Sequence, residues 1–376
     1  MPHFPATSRI YLSQRSFSSL AKGVFLGVVL SSVPLYALAD SPNLQGAEKP
    51  HIVVVGTGGT IAGAGKLATD TSTYKTASVG VDKILEQVPD AARFANVTSE
   101  QLFQVGSKSM TEEYMIKLAK RVEKLLEDPS VDGVVVTHGT DTLEETAYFL
   151  NLTVHSSKPI VFAASMRPST AISADGPLNL LDAVVIAASP QSQNKGVLVS
   201  LNDEIHSARD VSKTSSFKTD TFKSPYGPLG YVVEGRPFFY RDVIRANTVK
   251  SQFDIRKIEK LPRVDITYQY TNSDMTAFNA FVKAGARGIV IAGTGNGNVS
   301  DQLLPELANL GDKTLLVRSS RTGSGSLYRG ASYDADKRYG FVAVDDQTPV
   351  KARLLTALAL TQTSDPVEVR EIMYKY

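Results

Sequence analysis

A chain of 376 residues with 40 Lys and Arg against 38 Asp and Glu has a formal charge of +2, which leaves no basic excess for a nucleic-acid surface. It contains no cysteine, so disulfides, a thiolate nucleophile, zinc–sulfur sites and a lipid-modified cysteine anchor are excluded. Apolar and charged fractions of 42% and 21% exclude a disordered chain, and the length allows two domains with substantial cores.

The first 39 residues differ from the rest. Arg9, Arg15 and Lys22 precede an apolar segment from Gly23 to about Tyr36, and Ala37-Leu38-Ala39 fits a small-x-small cleavage site before Asp40. Ser31, Ser32 and Pro34 interrupt that segment, which falls short of the ~20 apolar residues a membrane span needs. The expectation is a cleaved signal over residues 1–39, a mature protein in the periplasm and no membrane attachment afterwards. Cleavage removes three basic and no acidic residues, moving the formal charge from +2 to −1.

From His51 to about Leu201, short runs rich in Val and Ile ("HIVVVG", "DGVVVTHG", "KPIVFAAS", "KGVLVSLN") alternate with segments of helical period. The runs lack polar alternation, as strands of a parallel sheet covered on both faces do. In "TEEYMIKLAKRVEKLLED", Tyr114, Met115, Leu118, Ala119, Val122, Leu125 and Leu126 recur at three- and four-residue spacing behind Thr111 as N-cap. The pattern weakens after His206, where "SPYGPLGYVVEGRPFFY" reads as a strand and hairpin and the part beyond Tyr240 as a polar connection. Alternation resumes with "RVDITYQY", "MTAFNAFVKAG", "RGIVIAGTGNGN", "KTLLVRSS" and the closing helix "TPVKARLLTALALTQT". The expected fold is α/β in two domains: a larger one over 40–242, with a mostly parallel sheet and helices on both faces, a linker over 243–262, and a smaller α/β domain over 263–376.

In open α/β sheets ligands bind beyond the carboxyl ends of the strands, which directs attention to "VVVGTGGTIAG", Val53 to Gly63. A dinucleotide fingerprint begun at Gly56 needs a third glycine where Ile61 stands. A P-loop ending in Gly65-Lys66 needs glycine at Thr60 and Ser or Thr at Leu67, so both phosphate readings fail. What remains is a tight turn whose glycines merely permit positive φ, or a backbone brought close to a small substrate with Thr57 or Thr60 offering a hydroxyl.

A second strand ends the same way in "VVVTHGTDTLEET", which gathers Thr137, Thr140, Asp141 and Thr142. Asp141 or Thr142 also reads as an N-cap for the following helix. A third cluster, "LNDEIHSARDVSKT", brings Asp210 and Lys213. Three strand ends supplying hydroxyls, a carboxylate and a lysine suit a threonine nucleophile. Such a hydroxyl needs a neighbouring base, here a lysine or a tyrosine. His138 and His155 stand where a core or surface histidine is expected, and the five histidines have no zinc spacing.

The stretches "TGGTIAG", "VTHGTDTLEETAYFL", "MRPSTAISADGPLNL", "LNDEIHSARDVSKT", "TFKSPYGPLGY", "AGTGNGN", "VRSSR" and "KARLLTALALTQT" resemble those of bacterial type II L-asparaginases and glutaminase-asparaginases. These are exported enzymes that hydrolyse the side-chain amide of asparagine and often of glutamine, and the resemblance covers about 50 to 376. It implies that Thr60 is the nucleophile forming an acyl-enzyme and that Tyr74, on a closing loop, assists it. Thr140, Lys213 and Asp141 form a second hydroxyl–amine arrangement. Gly59 and Gly139 fall among the substrate-binding residues, with backbone N–H groups near Thr60 and Thr140 as the oxyanion hole. Ser107 would take the substrate α-carboxylate, Asp141 its α-ammonium, and Asn296 would come from a neighbouring subunit. The resemblance also implies a homotetramer without metal or organic cofactor.

Two positions depart from the family pattern. Lys108 stands where Gln or Glu usually helps to hold the ammonium, and a lysine has no acceptor for it. The stretch "RTGSGSLYRGASYDADKRYG" lacks the family's glutamate, for which only Tyr333 or Asp334 could stand in. A non-catalytic periplasmic amino-acid binding protein would share the export signal and the two α/β domains, but needs no positioned nucleophile and proton carrier. A serine hydrolase would require a G-x-S-x-G elbow and a histidine base, neither of which is evident.

Overall fold

The computed structural model describes residues 48–311, 314–328 and 335–376. The expected signal segment, Tyr333 and Asp334 lie outside the described residues. Strands β1 (His51–Gly58), β2 (Asn96–Val105), β3 (Gly133–Thr137), β4 (Ile160–Ala163), β5 (Val197–Leu201), β6 (Glu204–Ser207), β7 (Gly230–Val233) and β8 (Arg236–Phe239) make one eight-stranded sheet. Its order is β8-β7-β6-β5-β4-β3-β1-β2. The five strands from β2 to β5 across this order pair in parallel, and β6, β7 and β8 continue antiparallel.

The absence of polar alternation in the central strands has a direct cause. Val53, Val55, Val134, Val136 and Phe162 face a core shared with helices α2 (Glu112–Glu127) and α3 (Leu143–Thr153). Their neighbours Ile52, Val54, Val135 and Val161 face a second core, covered by α1 (Val81–Leu85) and α4 (Gly176–Ala188). Both faces are dry, so every position is apolar. Helix α2 starts at the expected cap, Thr111, whose hydroxyl accepts from the Tyr114 N–H.

Strand β2 was not expected from the sequence. It is an edge strand of ten residues whose side chains are exposed or half-buried throughout. An edge with one wet face needs no run of Val and Ile, so the hydrophobic signal is missing.

The smaller sheet contains β9 (Val264–Tyr268), β10 (Gly288–Gly293), β11 (Leu315–Ser320) and β12 (Val342–Ala343), all parallel and in that order. Helices α5 (Thr276–Lys283), α6 (Leu304–Leu310) and α7 (Ala335–Tyr339) contribute to a core on one face; helices α8 (Pro349–Ala359) and α9 (Pro366–Lys375) cover the other, and the core under them is continuous with that of the large sheet. The segment joining the sheets is not the polar connection expected past Tyr240. Phe253, Ile255, Ile258 and Leu261 are buried in the shared core. No helix among the described residues is long and apolar enough to cross a membrane.

Helix α4 also buries Asp182, one of whose carboxylate oxygens has no hydrogen-bond partner. Burial, with Asp203 adding repulsion, pushes its carboxyl up to about 7. A carboxyl raised in the folded state binds more protons there than in the unfolded chain, so stability falls as pH rises from about 4 to 7 and is level above that. Asp182→Asn removes this loss. The variant should gain on the order of 1–2 kcal/mol over the parent between pH 5 and pH 8, read as a melting-temperature difference that grows with pH. A difference independent of pH would disprove the assignment.

Candidate active site

The carboxyl ends of β1, β2 and β3 meet at one point. Gly58 and Gly59 take positive φ, 109° and 83°, and the chain turns so closely that a Cβ on Gly59 would lie 2.3 Å from the Gly139 nitrogen. Two strand ends therefore touch backbone to backbone, and Thr60 and Thr140 are presented on one cavity of about 570 Å³. The edge strand β2 delivers Gly106, Ser107 and Lys108 to the same cavity. Ser107 is buried; its Oγ accepts from the Asp141 N–H at 3.2 Å and its carbonyl accepts from the Thr142 hydroxyl at 2.9 Å.

Thr60 Oγ1 lies 2.8 Å from Tyr74 Oη. Tyr74 arrives on a segment that leaves Gly63 and folds back as a small antiparallel hairpin, Ala64–Gly65 on Tyr74–Lys75. Gly63 is required beside the tyrosine, since a Cβ there would come within 3.0 Å of its ring. The hairpin rests on "RPSTAISADG": Gly63 O accepts from Ser169 N–H and Oγ, Gly65 N–H donates to Thr170 Oγ1, and Ile172 N–H donates to Ala68 O. Asp175 holds the other side of that support by accepting from the N–H groups of Met166 and Arg167.

The second pair is equally direct. Lys213 Nζ donates to Thr140 Oγ1 and to Asp141 Oδ1, both at 2.8 Å. Because Thr140 Oγ1 accepts from the lysine, its own O–H is left to donate elsewhere. Asp141 balances the ammonium charge and is not an N-cap; the cap of α3 is Thr142, whose hydroxyl bonds Ser107 instead. Among the described residues, the backbone N–H groups of Thr60 and Thr140 have no acceptor, whereas that of Gly59 is spent on Val105 O at 3.0 Å. The cavity thus has donors to spare beside each threonine.

Other residues singled out from the sequence do other work. Thr57 donates to Thr137 O inside the sheet. Asp210 pairs with Arg209 and does not line the cavity. His138 is buried against Gly139 O, and burial pushes its imidazole down to about 4; His155 bonds Phe253 O. Asn296 lies in the smaller sheet's domain, away from this cavity, and both ends of its amide are taken by the Tyr328 backbone, at 2.8 and 2.6 Å. Lys108 is exposed on the cavity rim with no acidic partner among the described residues. A chain Ser224–His206–Glu204 does exist, at 2.9 and 3.1 Å, but none of the three lines the cavity. A larger, shallower groove of about 870 Å³ beside Lys260, Arg263 and Arg287 contains no hydroxyl–base pair.

The sequence reading also missed Arg167, Met166 and Phe217, which line the cavity. "MRPSTAISADG" carried the signal for the first two, and nothing in the pattern marked Phe217.

Fold and cavity together define a two-sheet α/β protein with paired hydroxyl and proton-carrier groups at the carboxyl ends of its parallel strands. Family models described as "Asparaginase, N-terminal" and "Glutaminase/Asparaginase C-terminal domain" match residues 51–245 and 263–373. A glutaminase-asparaginase of Acinetobacter glutaminasificans is 49% identical over 87% of this chain and 100% of its own length. L-asparaginase 2 of Escherichia coli K12 is 46% identical over 87% and 93%. The crystal structure of a probable cytoplasmic L-asparaginase from Campylobacter jejuni, 44% identical, superposes with a TM-score of 0.84 over 87% of this chain and 100% of that one. The chain belongs to the glutaminase/asparaginase family of amidohydrolases.

Proposed function

We propose that the protein hydrolyses L-asparagine to L-aspartate and ammonia, with accompanying L-glutaminase activity, through Thr60. The observation that carries this reading is the convergence of two hydroxyl–proton-carrier pairs, Thr60 with Tyr74 and Thr140 with Lys213, on one cavity. Thr60 Oγ1 attacks the amide carbon, and its proton passes through the Tyr74 hydroxyl to the departing nitrogen. The carbon–nitrogen bond breaks, ammonia leaves, and an ester to Thr60 remains. The N–H groups of Thr60 and Thr140 are placed to receive the oxyanion. Thr140 and Lys213 then serve the water that cleaves the ester, whose proton returns to Thr60. Ser107 takes the α-carboxylate and Asp141 the α-ammonium, which favours a free amino acid over a peptide.

Ammonia release from L-asparagine and from L-glutamine by the purified protein tests the reading, and the two rates rank the substrates. Binding of either amino acid without ammonia release would instead support the periplasmic binding protein. Lys108 lines the same cavity as Asp141 and carries the charge of the substrate ammonium, and two such charges repel by ~1 kcal/mol near 4 Å in water. Lys108→Gln should therefore lower KM for L-asparagine roughly 5-fold; an unchanged KM would remove Lys108 from substrate selection.

The reading includes export through residues 1–39 to the periplasm, supported by the charged flank, apolar segment and small-residue site. Fractionation of cells making the full chain tests it, with N-terminal sequencing expected to begin near Asp40. It also includes a homotetramer in which Asn296 approaches a neighbour's site. Light scattering of the purified protein checks the assembly.

A further inference from the structure

Lys213 has to be held where its amine meets Thr140 and Asp141, and its own strand is only two residues long, Ser212–Lys213 paired with Phe222–Lys223. The segment leading into it, Arg209 to Val211, is gripped from the smaller sheet's side of the protein. Lys351, on α8, is 1% exposed, and its Nζ donates to the carbonyls of Arg209 and Val211 at 2.7 and 2.6 Å. Arg209 itself donates to Tyr376 O at 2.6 Å and to Asp346 Oδ1 at 2.5 Å. The same lysine ammonium stands 5.8 Å over the ring of Tyr148, in α3, the helix that begins directly after Thr140 and Asp141. One buried side chain thus meets both the segment leading to Lys213 and the helix that follows Thr140.

A buried ammonium is costly unless the fold uses it. Two backbone carbonyls, an aromatic face and the nearby carboxylates of Glu144, Asp210 and Asp346 are what it receives here. A simple core position would be filled more stably by an apolar residue. We propose that Lys351 is a positioning residue for catalysis, setting the distance between Lys213 and Thr140 from the helix that also covers the smaller sheet. The inference rests on the amidohydrolase reading and on the role of Lys213 within it.

The test is Lys351→Met, which keeps the length and the packing over Tyr148 but removes the donors. The expected result is a folded protein with kcat lower by roughly 10- to 100-fold, as a displaced catalytic group produces, and with KM for L-asparagine within about 3-fold of the parent. In a Lys213→Met background the same change should cost little further, because residues that act as one unit are strongly non-additive. Should Lys351→Met not fold, Lys351→Gln retains a donor for one carbonyl and gives the same kcat-against-KM comparison. A folded variant with parental kcat overturns the inference alone, as does an equal loss with and without Lys213. A wild-type protein that releases no ammonia overturns the amidohydrolase reading and the inference with it.

Discussion

Thr60→Ala is expected to lower ammonia release on the order of 10⁴-fold or more while leaving the protein folded, because in the proposed mechanism the variant lacks the atom that forms the acyl bond. The structural cost is small. The Thr60 side-chain oxygen bonds only Tyr74 Oη among the described residues, and that phenol opens on the cavity, where water takes the vacated place. A loss of ~1 kcal/mol in stability is the scale for such a truncation. Thr60→Ser, which keeps the hydroxyl, should retain substantial activity. Turnover near the parental rate in Thr60→Ala would remove Thr60 from its role and leave Thr140 as the nucleophile to test.

Lys213→Met should cost roughly 10²–10⁴-fold in steady-state rate, the range for a lost proton carrier, and the time course should show where. If Lys213 serves the water step, acylation survives the substitution. The variant then releases ammonia in a burst approaching one equivalent per site, followed by a slow phase as the ester to Thr60 accumulates. A slow rate without a burst would place Lys213 in the first half of the reaction, with Tyr74 as its accessory. Near-normal turnover would make Lys213 structural. Asp141, left with an unneutralised carboxylate in the variant, is half-exposed, so its cost is screened by water.

Much of this site was legible in the sequence because the chemistry sits at strand ends that glycines mark. Thr60 and Thr140 each follow a buried Val-rich run and a glycine, and the backbone contact between Gly59 and Gly139 is the reason those glycines are there. The partner of Thr60 was not legible from pattern. Tyr74 lies in a polar stretch with no period, and only the family resemblance singled it out. Ser107 sits behind an edge strand with no apolar signature. Lys351 could not be read as buried, since a lysine in "TPVKARLL" looks like the wet side of an amphipathic helix. Its burial follows from a contact with residues 209–211, some 140 positions earlier.

The touching backbones of Gly59 and Gly139 also limit how this enzyme can drift. A methyl group at Gly59 meets Gly139, and one at Gly139 meets Ser107 Oγ at 2.4 Å and Gly59 Cα at 3.0 Å. Neither position has a neutral first step, and enlarging both together only deepens the collision, so lineages descending from this chain are pinned at these two sites. Change in substrate choice has more room among the other lining side chains, such as Lys108, Arg167 and Phe217, which border the cavity. A mutagenesis library built on those three codons would explore the accessible neighbourhood of this catalyst, and one spread across the glycine turns would return mostly unfolded protein.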